Sequence, residues 1–503
     1  MFSEYAWAPS TRELAARAGL DESQIVRFDG NVPAQPRGYV RPGAVAAALA
    51  TVNTYAHGGY TELVDAIADY VGLEPENIVL GNGSDNLILL CARAYARAGD
   101  TVAIANEPTY PVYRSAVGLV GASVGDESPV LTFQCRPNNP SGALDPLDPR
   151  RPLVVDEAYH EYAGDTVIDQ IDSGVIVLRT FSKAFGLAGA RVGYAVASPE
   201  TATELRRRQD PLPLAAPSVA LALAALADPP DVGPELAERD RCAGALSALG
   251  LEPAPSRTNF VFVPFENAES LAEALLADGV VVRVVPGGFR FSVRDREDDD
   301  LLLDALARAL EQPSAVEPAA KRRVRHLRAT AETTVRVRLG LDGQSRVRVA
   351  TGAGIYDHFL EQLGFHGGLD LILETVGDLE TGDHHTAEDS AISLGEALDL
   401  ALGDRRGIAR YGDAVVPMDD ALARAAVDLG GRPWCEVELE PEPGMAAHMF
   451  QSLSQAGRLG IHVESSGEDA HHVAEAAFKA VGRALRAAVR QEGDALPSTK
   501  GKI

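Results

Sequence analysis

The sequence predicts a mixed α/β chain of two domains, an α/β domain with a mainly parallel sheet over residues 1–312 and an α+β domain over residues 323–503. Three observations predict this organisation. Helical stretches alternate with short β-rich runs in the N-terminal part, a pattern typical of parallel sheets. Residues 313–322 lack apolar periodicity and contain two prolines, which predicts a linker. The last third of the chain contains an internal repeat, so its domain is predicted to consist of two repeated halves.

Composition sets the class of protein. A chain of 503 residues is longer than a single domain with one hydrophobic core usually is. Its composition of 46% hydrophobic and 23% charged residues is typical of globular proteins. The net charge of −26 argues against binding nucleic acid or an anionic membrane, so anionic substrates need local basic pockets. Four widely spaced cysteines and an N-terminus without signal-peptide features favour the reducing cytoplasm. The cysteines are Cys91, Cys135, Cys242 and Cys435.

Periodicity places the first elements of the N-terminal domain. The predicted helices are 60–73 and 86–98, and the predicted strands are 102–105, 153–155 and 175–178. The Ala/Leu-rich run Pro211–Ala227 is interrupted by prolines and too short to span a bilayer, so it predicts a buried helix.

The turns after these strands contain the candidate functional residues, because ligands bind at the carboxyl ends of the strands in parallel sheets. Gly81-Asn82-Gly83-Ser84-Asp85 precedes a helix, and glycine-rich amides at a helix N-terminus can bind an anion. A lone lysine is usually a solvated side chain, but here several turns follow in a fixed order. These turns are Pro137–Gly142, Val154–Tyr159 and Ser182–Gly186, followed by Arg191.

With these turns, residues 25–300 resemble fold-type I pyridoxal-phosphate aminotransferases, most closely histidinol-phosphate aminotransferase. The resemblance implies a large domain with a small C-terminal subdomain and pyridoxal 5'-phosphate as cofactor. It implies that Lys183 forms the Schiff base with the cofactor and that Asp156 pairs with the pyridinium nitrogen. We expect burial and the neighbouring Arg191 to lower the pKa of Lys183.

The same resemblance implies the remaining contacts. Asn139 and Tyr159 would bind the ring hydroxyl, Tyr110 would stack on the ring, and Arg290 would bind a substrate anion. The cofactor phosphate would be held by the amides of Ser84 and Asp85, by Ser182 and Arg191, and by Tyr55 of a second subunit.

The internal repeat consists of His384-His385-Thr386-Ala387-Glu388 and His471-His472-Val473-Ala474-Glu475. Downstream residues match in the same register, for example Gly395 with Gly482. On a helix the first histidine and the glutamate share a face, while the second histidine lies about 100° around it. One helix can therefore face two metals, and imidazole with carboxylate suits Mn, Fe or Zn. The spacing does not fit the helical zinc-protease motifs, which place the glutamate beside a histidine.

Other features of this part are less specific. Residues 334–339 and 345–350, separated by Asp342-Gly343, predict a β-hairpin. Lys321-Arg322-Arg323 is interpreted as solvated charge beside the linker rather than a nucleic-acid patch. Eight of the eleven histidines follow residue 350, which favours a polynuclear metal pocket.

Residues 325–503 resemble imidazoleglycerol-phosphate dehydratase in Arg328, Thr330, Glu332-Thr333, Asp357-His358-Phe359, both histidine pairs, Ile461-His462 and Ser498-Thr499-Lys500-Gly501. The resemblance implies two manganese ions, an acid–base role for Glu332 and a substrate-phosphate site. One ion would take His358, His385, Glu388 and His472, and the other His384, His462, His471 and Glu475. The phosphate site would comprise Arg410, Arg432, Ser498 and Lys500.

Together the two resemblances predict a bifunctional enzyme of histidine biosynthesis. Its dehydratase would make imidazole-acetol phosphate from imidazoleglycerol phosphate, and its aminotransferase would convert that ketone with glutamate to histidinol phosphate. The families imply homo-oligomers, with aminotransferase dimers and dehydratase shells of 24 subunits. Two alternatives stay open for the N-terminal part: a phospho-amino-acid decarboxylase of the threonine-phosphate type, and a non-catalytic scaffold.

Overall fold

The computed structural model describes residues 8–34, 37, 39–40, 42–50, 52–55, 60–314, 316, 322–377, 379 and 382–499. Two compact units divide near residue 318. Most of the predicted linker lies outside the described residues, so the predicted domain boundaries stay a prediction. Among the described residues, no helix combines the length and apolar character that crossing a membrane requires.

The N-terminal unit alternates helices and strands. Its helices are α1 (Thr11–Ala18), α2 (Pro42–Leu49), α3 (Thr61–Val71), α4 (Gly83–Tyr95), α5 (Val112–Leu119), α6 (His160–Ala163), α7 (Pro199–Arg206), α8 (Ala216–Ala227), α9 (Gly233–Ala248), α10 (Ala268–Ala277) and α11 (Arg296–Ala309). Its strands are β1 (Val26–Arg27), β2 (Ile78–Gly81), β3 (Thr101–Ile104), β4 (Ser123–Val124), β5 (Leu131–Cys135), β6 (Leu153–Asp156), β7 (Val175–Thr180), β8 (Gly193–Val196), β9 (Phe260–Pro264), β10 (Val280–Val281), β11 (Arg283–Val285) and β12 (Gly288–Ser292).

The large sheet has the order β2-β8-β7-β6-β5-β3-β4. Strands β4, β3, β5, β6 and β7 run parallel to one another, and β8 is antiparallel to both β7 and β2. Every residue of β5, β6 and β7 is buried, as expected for parallel strands covered on both faces. The predicted mainly parallel α/β fold is therefore confirmed.

The predicted elements of this unit differ from the structure mainly at their ends. Helix α4 begins at Gly83, three residues before the predicted start, because the glycine-rich turn itself forms the first helical turn. The predicted buried helix is present as α8, but only Ala222 and Ala225 are fully buried. That helix packs mainly on α2 and α3, so its remaining apolar residues are partly exposed.

A small subdomain follows the large sheet. Strands β11, β12 and β9 pair antiparallel in that order, and α10 and α11 pack against each other next to them. Arg290 lies in the buried strand β12. The fold thereby presents this arginine from a different sheet from the one that carries Asp156.

The C-terminal unit repeats one βα arrangement. Its strands are β13 (Arg323–Ala329), β14 (Thr334–Gly340), β15 (Val347–Ala350), β16 (Asp370–Val376), β17 (Tyr411–Met418), β18 (Ala421–Asp428), β19 (Trp434–Glu440) and β20 (Gly460–Ser466). Its helices are α12 (Gly354–Gly367), α13 (His384–Leu402), α14 (Ala446–Gly457) and α15 (Ala470–Ala488).

The two sheets have matching topology, β13-β14-β16-β15 and β17-β18-β20-β19. In each, the first three strands are antiparallel and the last pair is parallel. Helices α12 and α13 pack on the first sheet, α14 and α15 on the second, and the helices contact each other in between. The predicted two-halved α+β domain is confirmed, and α13 and α15 carry the two histidine pairs.

The predicted hairpin of residues 334–339 and 345–350 is wrong. Strands β14 and β15 belong to one sheet but β16 lies between them, and β14 forms its hairpin with β13. Asp370, at the start of β16, accepts hydrogen bonds from the backbone amides of Gln344 (2.8 Å) and Arg346 (3.1 Å). The Asp342-Gly343 segment is therefore a loop that passes the end of β16 rather than a tight turn.

Candidate active sites

A cavity of about 140 Å³ lies at the carboxyl ends of β5, β6 and β7. The last residues of these strands, Cys135, Asp156 and Thr180, all line it. Nine of the ten predicted cofactor contacts also line it: Ser84, Asp85, Tyr110, Asn139, Asp156, Tyr159, Ser182, Lys183 and Arg191. The tenth, Tyr55, is 72% exposed and does not line the cavity.

One end of the cavity is built to receive an anion. Helix α4 points its N-terminus there, and Gly83 begins it with a φ of +73°. Arg191 donates to Asp85 Oδ2 at 3.1 Å, and the Tyr110 hydroxyl donates to Asp85 Oδ1 at 2.9 Å. A Cβ on Gly83 would lie 2.5 Å from Arg191 Nη2. Glycine at this position therefore makes room for a guanidinium beside helix-terminal amides, a favourable setting for phosphate.

Asp156 lies deeper in the cavity, with only 3% of its surface exposed. Its Oδ2 accepts a hydrogen bond from the Tyr113 hydroxyl at 2.8 Å, and its Oδ1 accepts one from the amide of Ala158 at 3.1 Å. Burial raises the pKa of Asp156 to about 6. A cationic partner within the cavity would favour the ionised carboxylate.

Lys183 reaches the same cavity. Its Nζ lies 3.4 Å from the carbonyl oxygen of Gly30 and 5.8 Å from the centre of the Tyr159 ring. Burial, followed by the positive charge of Arg290, lowers the pKa of Lys183 to about 8. Arg191, the cation expected from the sequence, contributes less. With this pKa roughly a tenth of the amine is neutral at pH 7, far more than for an ordinary lysine, and the neutral form is the nucleophile.

Arg290 lies beside the cavity and contacts Asn139, which lines it, but Arg290 itself does not line it. It donates to Asn139 Oδ1 and to the carbonyl oxygen of Asp29 (3.0 Å), and it packs on the Phe260 ring at 5.2 Å. Its Nε is buried and has no hydrogen-bond partner among the described residues. Asn31, which sequence reasoning did not single out, donates to the Tyr159 hydroxyl at 2.9 Å.

These features fit pyridoxal phosphate. The cavity combines a buried carboxylate, a lysine with a lowered pKa and a helix N-terminus beside an arginine. The buried Nε of Arg290, next to the cavity, has no hydrogen-bond partner among the described residues.

In the C-terminal unit, the first group of potential metal ligands joins α12 and α15. His358 Nε2 lies 3.3 Å from Glu475 Oε2, and His471 Nε2 lies 3.4 Å from the same oxygen. The two imidazole rings stack with centres 5.4 Å apart. One nitrogen or oxygen from each residue lies within 4.8 Å of the others. We refer to His358, His471 and Glu475 as cluster one.

The second group joins α13 and α14. Glu388 lies 3.6 Å from His384 Nε2 and 3.3 Å from His448 Nε2, and the two histidine rings are 5.2 Å apart. His448 Nε2 is buried and has no hydrogen-bond partner among the described residues. Two imidazole nitrogens and a carboxylate grouped in this way suit a divalent transition metal. We refer to His384, Glu388 and His448 as cluster two.

The single chain groups the ligands differently from the sets that the resemblance implies. In both repeats the first histidine joins its own glutamate, as the helical spacing predicts. His385 lies 3.8 Å from Glu332, and His472 contacts Asp420 at 2.5 Å, so neither second histidine is in a described cluster. His462 is in neither cluster, since it lies on β20 with its Nδ1 3.1 Å from Glu436. His448 is the residue that sequence reasoning missed.

The end of α13 that carries the histidines is tied to the first sheet. Asp389, one residue after Glu388, contacts Arg328 Nη1 at 2.6 Å and accepts a hydrogen bond from the Thr333 hydroxyl. Glu332 precedes Thr333 in the segment between β13 and β14, and 54% of its side chain is exposed. The predicted acid–base residue is thereby held beside the histidine pair.

The predicted phosphate-binding residues are only partly brought together. Arg410 donates to Asp428 at 2.8 Å and to the carbonyl oxygen of Pro497 at 2.9 Å, so it touches the residue before Ser498. Arg432 is exposed in the loop before β19. Lys500 lies outside the described residues.

Comparison with known proteins assigns a family to each part of the chain. The family model described as aminotransferase class I and II matches residues 23–126 and 127–306, and that of imidazoleglycerol-phosphate dehydratase matches residues 351–485. The imidazoleglycerol-phosphate dehydratase of Salinispora tropica is 48% identical over 195 residues, covering 35% of this chain and 96% of the relative.

Solved structures match the N-terminal part. The histidinol-phosphate aminotransferase of Sinorhizobium meliloti, solved with pyridoxal-5'-phosphate, has 28% identity and a TM-score of 0.54, covering 62% of this chain and 98% of its own. The L-threonine-O-3-phosphate decarboxylase of Porphyromonas gingivalis has 20% identity and a TM-score of 0.50, covering 57% and 100%. At that identity the second match shows the fold alone.

The fold, the lysine-containing cavity and the paired histidine clusters define a two-domain enzyme. The chain belongs to the class I and II aminotransferase family through its N-terminal part and to the imidazoleglycerol-phosphate dehydratase family through its C-terminal part.

Proposed function

We infer that this chain catalyses two steps of histidine biosynthesis. The C-terminal domain dehydrates imidazoleglycerol phosphate to imidazole-acetol phosphate, and the N-terminal domain transaminates that ketone with glutamate to histidinol phosphate. One observation carries this inference: a lysine cavity of the histidinol-phosphate aminotransferase type and a dehydratase domain occur in one chain. The ketone released by the second domain is the substrate of the first.

In the aminotransferase domain we propose that pyridoxal phosphate occupies the cavity of Lys183. When bound, the cofactor supplies an electron sink for a substrate carbanion. Lys183 would hold the cofactor and move the proton at the substrate carbon, because its lowered pKa makes the neutral amine far more abundant than in an ordinary lysine. Asp156 would pair with the pyridinium nitrogen, and Arg191 with the N-terminus of α4 would hold the phosphate.

Other side chains orient the ring and the substrate. We propose that Asn139 and Tyr159 bind the ring hydroxyl and that Tyr110 packs on the ring face. Arg290 binds the substrate carboxylate or phosphate, and its buried Nε supports this role. Tyr55, largely exposed in the single chain, is proposed to reach the cofactor phosphate of a second copy.

In the dehydratase domain we propose that the two clusters bind divalent metals, with manganese as the ion expected for this family. When bound, the metals act as Lewis acids that stabilise negative charge on the substrate imidazole. Cluster two includes His448. The ligands that the resemblance implies outside both clusters, His385, His472 and His462, also stay proposed. A cluster of three ligands leaves positions that a histidine of another copy or the substrate can fill.

We propose that Glu332 is the acid–base residue of the dehydration. The reaction removes a proton from the middle carbon of the glycerol chain and hydroxide from the carbon attached to imidazole, and the resulting enol becomes the ketone. Glu332 is exposed and lies 3.8 Å from His385, so a carboxylate is available beside the proposed metal site. Arg410, Arg432, Ser498 and Lys500 are proposed to bind the substrate phosphate.

We also propose that copies of the chain assemble through the outer faces of the two C-terminal sheets. The first outer face carries Arg336 and Arg348 on either side of Glu374, which lies 3.1 Å from Arg348. On the second outer face Glu438 lies directly opposite Glu464, and Arg424 lies opposite Glu464 on its other side. Like charges in such positions are destabilising, and arginines of another copy would offset them. This contact supports the expected shell of dehydratase domains.

Assembly is tested by the mass of the chain in solution. Glu438→Lys is expected to shift the mass towards smaller species, and adding Arg336→Glu is expected to restore part of the assembly. Glu468→Lys is the control, because Glu468 is exposed but lies in the loop after β20. Equal masses for all variants would contradict this contact.

We also propose that residues 313–322 form the linker between the domains, which limited proteolysis tests. We propose a cytoplasmic location, which cell fractionation tests.

The proposed N-terminal activity is tested by substrate choice. With cofactor added, the chain is expected to convert imidazole-acetol phosphate and glutamate to histidinol phosphate and 2-oxoglutarate. It is expected to release no carbon dioxide from threonine phosphate. Decarboxylation without amino transfer would assign the domain to the decarboxylases, and no turnover of either substrate would indicate a scaffold.

A further inference from the structure

Asp156 depends on two hydrogen-bond donors. It ends β6 with its carboxylate in the cavity and almost no exposed surface. The amide of Ala158 donates to one oxygen, and the hydroxyl of Tyr113 donates to the other at 2.8 Å. Tyr113 is therefore the side chain that supports this carboxylate from the protein interior.

Burial works against the charge that Asp156 carries. It raises the pKa of the carboxyl to about 6, and the hydrogen bond from Tyr113 is the largest opposing influence. Hydrogen bonds to the ionised form of a carboxyl group favour that form. Without Tyr113 the carboxyl would take up a proton nearer to neutral pH and lose its attraction for a cationic ring.

Tyr113 is well held for this task. It is completely buried on α5, it stacks on Phe133 with ring centres 5.4 Å apart, and it meets the edge of Tyr110 at 5.8 Å. Burial raises the pKa of the Tyr113 hydroxyl well above its usual value, so the phenol keeps its proton. The Tyr113 hydroxyl consequently acts as a fixed donor, and its ring contacts Tyr110, the residue proposed to pack on the cofactor ring.

We propose that Tyr113 is a positioning residue for transamination, whose hydroxyl donates to Asp156 and keeps that carboxylate ionised and oriented towards the cofactor ring. The proposal deepens the function assigned to this cavity and rests on it. Tyr113 does not line the cavity, so its effect is transmitted through Asp156. The other titratable groups that face Asp156 are Asp85, Lys183, Cys135 and Tyr159.

The test uses the full chain without cofactor first. Infrared spectra over a pH series report the C=O stretch of the protonated carboxyl, and Asp156→Asn assigns the signal. Tyr113→Phe is expected to raise the pKa of Asp156 by about one to two units, the effect of losing one hydrogen bond to a charged group. Tyr194→Phe is the control, because Tyr194 is almost equally buried but is not one of the two donors to Asp156.

The second readout is the bound cofactor. Tyr113→Phe is expected to weaken pyridoxal phosphate binding about tenfold, a change that corresponds to one pKa unit in free energy. It is also expected to lower kcat more than it raises KM for glutamate. An unchanged pKa of Asp156 in folded Tyr113→Phe would overturn the proposal. If that variant does not fold, 3-fluorotyrosine at position 113 keeps the shape and strengthens the donor, and the pKa of Asp156 should then fall.

The two proposals fail separately. If the wild-type chain binds no pyridoxal phosphate, the proposed aminotransferase function fails, whereas the infrared experiment still decides whether Tyr113 controls Asp156. If cofactor binds normally but neither Tyr113 variant moves the pKa of Asp156, only the positioning role is wrong.

Discussion

His448 Nε2 lies 3.3 Å from Glu388 Oε1, a contact that joins two helices of the dehydratase domain. His448→Ala is expected to remove one metal ion per chain and to reduce dehydration by orders of magnitude, because cluster two loses a ligand. Metal content measured by mass spectrometry checks this. His366→Ala is the comparison, since His366 lies near the end of α12 outside both clusters and is not a proposed ligand. Loss of metal in His366→Ala but not in His448→Ala would contradict the assignment.

Lys183→Ala is expected to abolish transamination and leave dehydration near normal, because the cofactor site lies in the N-terminal unit. The two activities are measured separately on one preparation. His384→Ala provides the reciprocal control, with dehydration lost and transamination retained. A Lys183→Ala chain that transaminates at the wild-type rate would refute the cofactor assignment.

Gly83→Ala is expected to weaken cofactor binding by at least about tenfold, the loss expected when one charge-assisted contact is displaced. The new Cβ would meet Arg191 Nη2 at 2.5 Å and push the guanidinium away from the helix N-terminus. Gly72→Ala separates this clash from backbone strain, because Gly72 has the same φ of +73° and nothing within 4 Å. Cofactor titration followed by absorbance compares the two. Equal weakening in both variants would attribute the effect to strain.

Stability of the cofactor-free chain should depend on pH through Lys183. Its pKa falls from the usual 10.5 to about 8 on folding, mainly because of burial. Between these values the unfolded chain binds more protons, so the free energy of unfolding should rise with pH from about 8 to 10. Lys183→Met should remove this part of the pH dependence and stabilise the chain near pH 7. Denaturant titrations at several pH values measure the difference between the two chains.

The sequence predicted the repeated halves of the C-terminal domain because the histidine pairs recur in register on helices. It did not identify His448, since a single histidine outside the repeat carries little signal. The hairpin prediction was wrong because β14 and β15 are close in sequence but β16 lies between them in the sheet. Which strands pair in the sheet is set by tertiary packing. In the N-terminal domain the ordered turns identified the cavity. The effect of Arg290 on Lys183 and of Tyr113 on Asp156 became visible only with the fold.

The central claim is that one chain performs consecutive reactions, and isotope transfer tests it most directly. The chain, loaded with pyridoxal phosphate and manganese, is given imidazoleglycerol phosphate and glutamate labelled with nitrogen-15 in its amino group. We predict histidinol phosphate whose amino nitrogen carries the label, formed with an equal amount of 2-oxoglutarate. Accumulation of imidazole-acetol phosphate with the label remaining in glutamate would contradict the account.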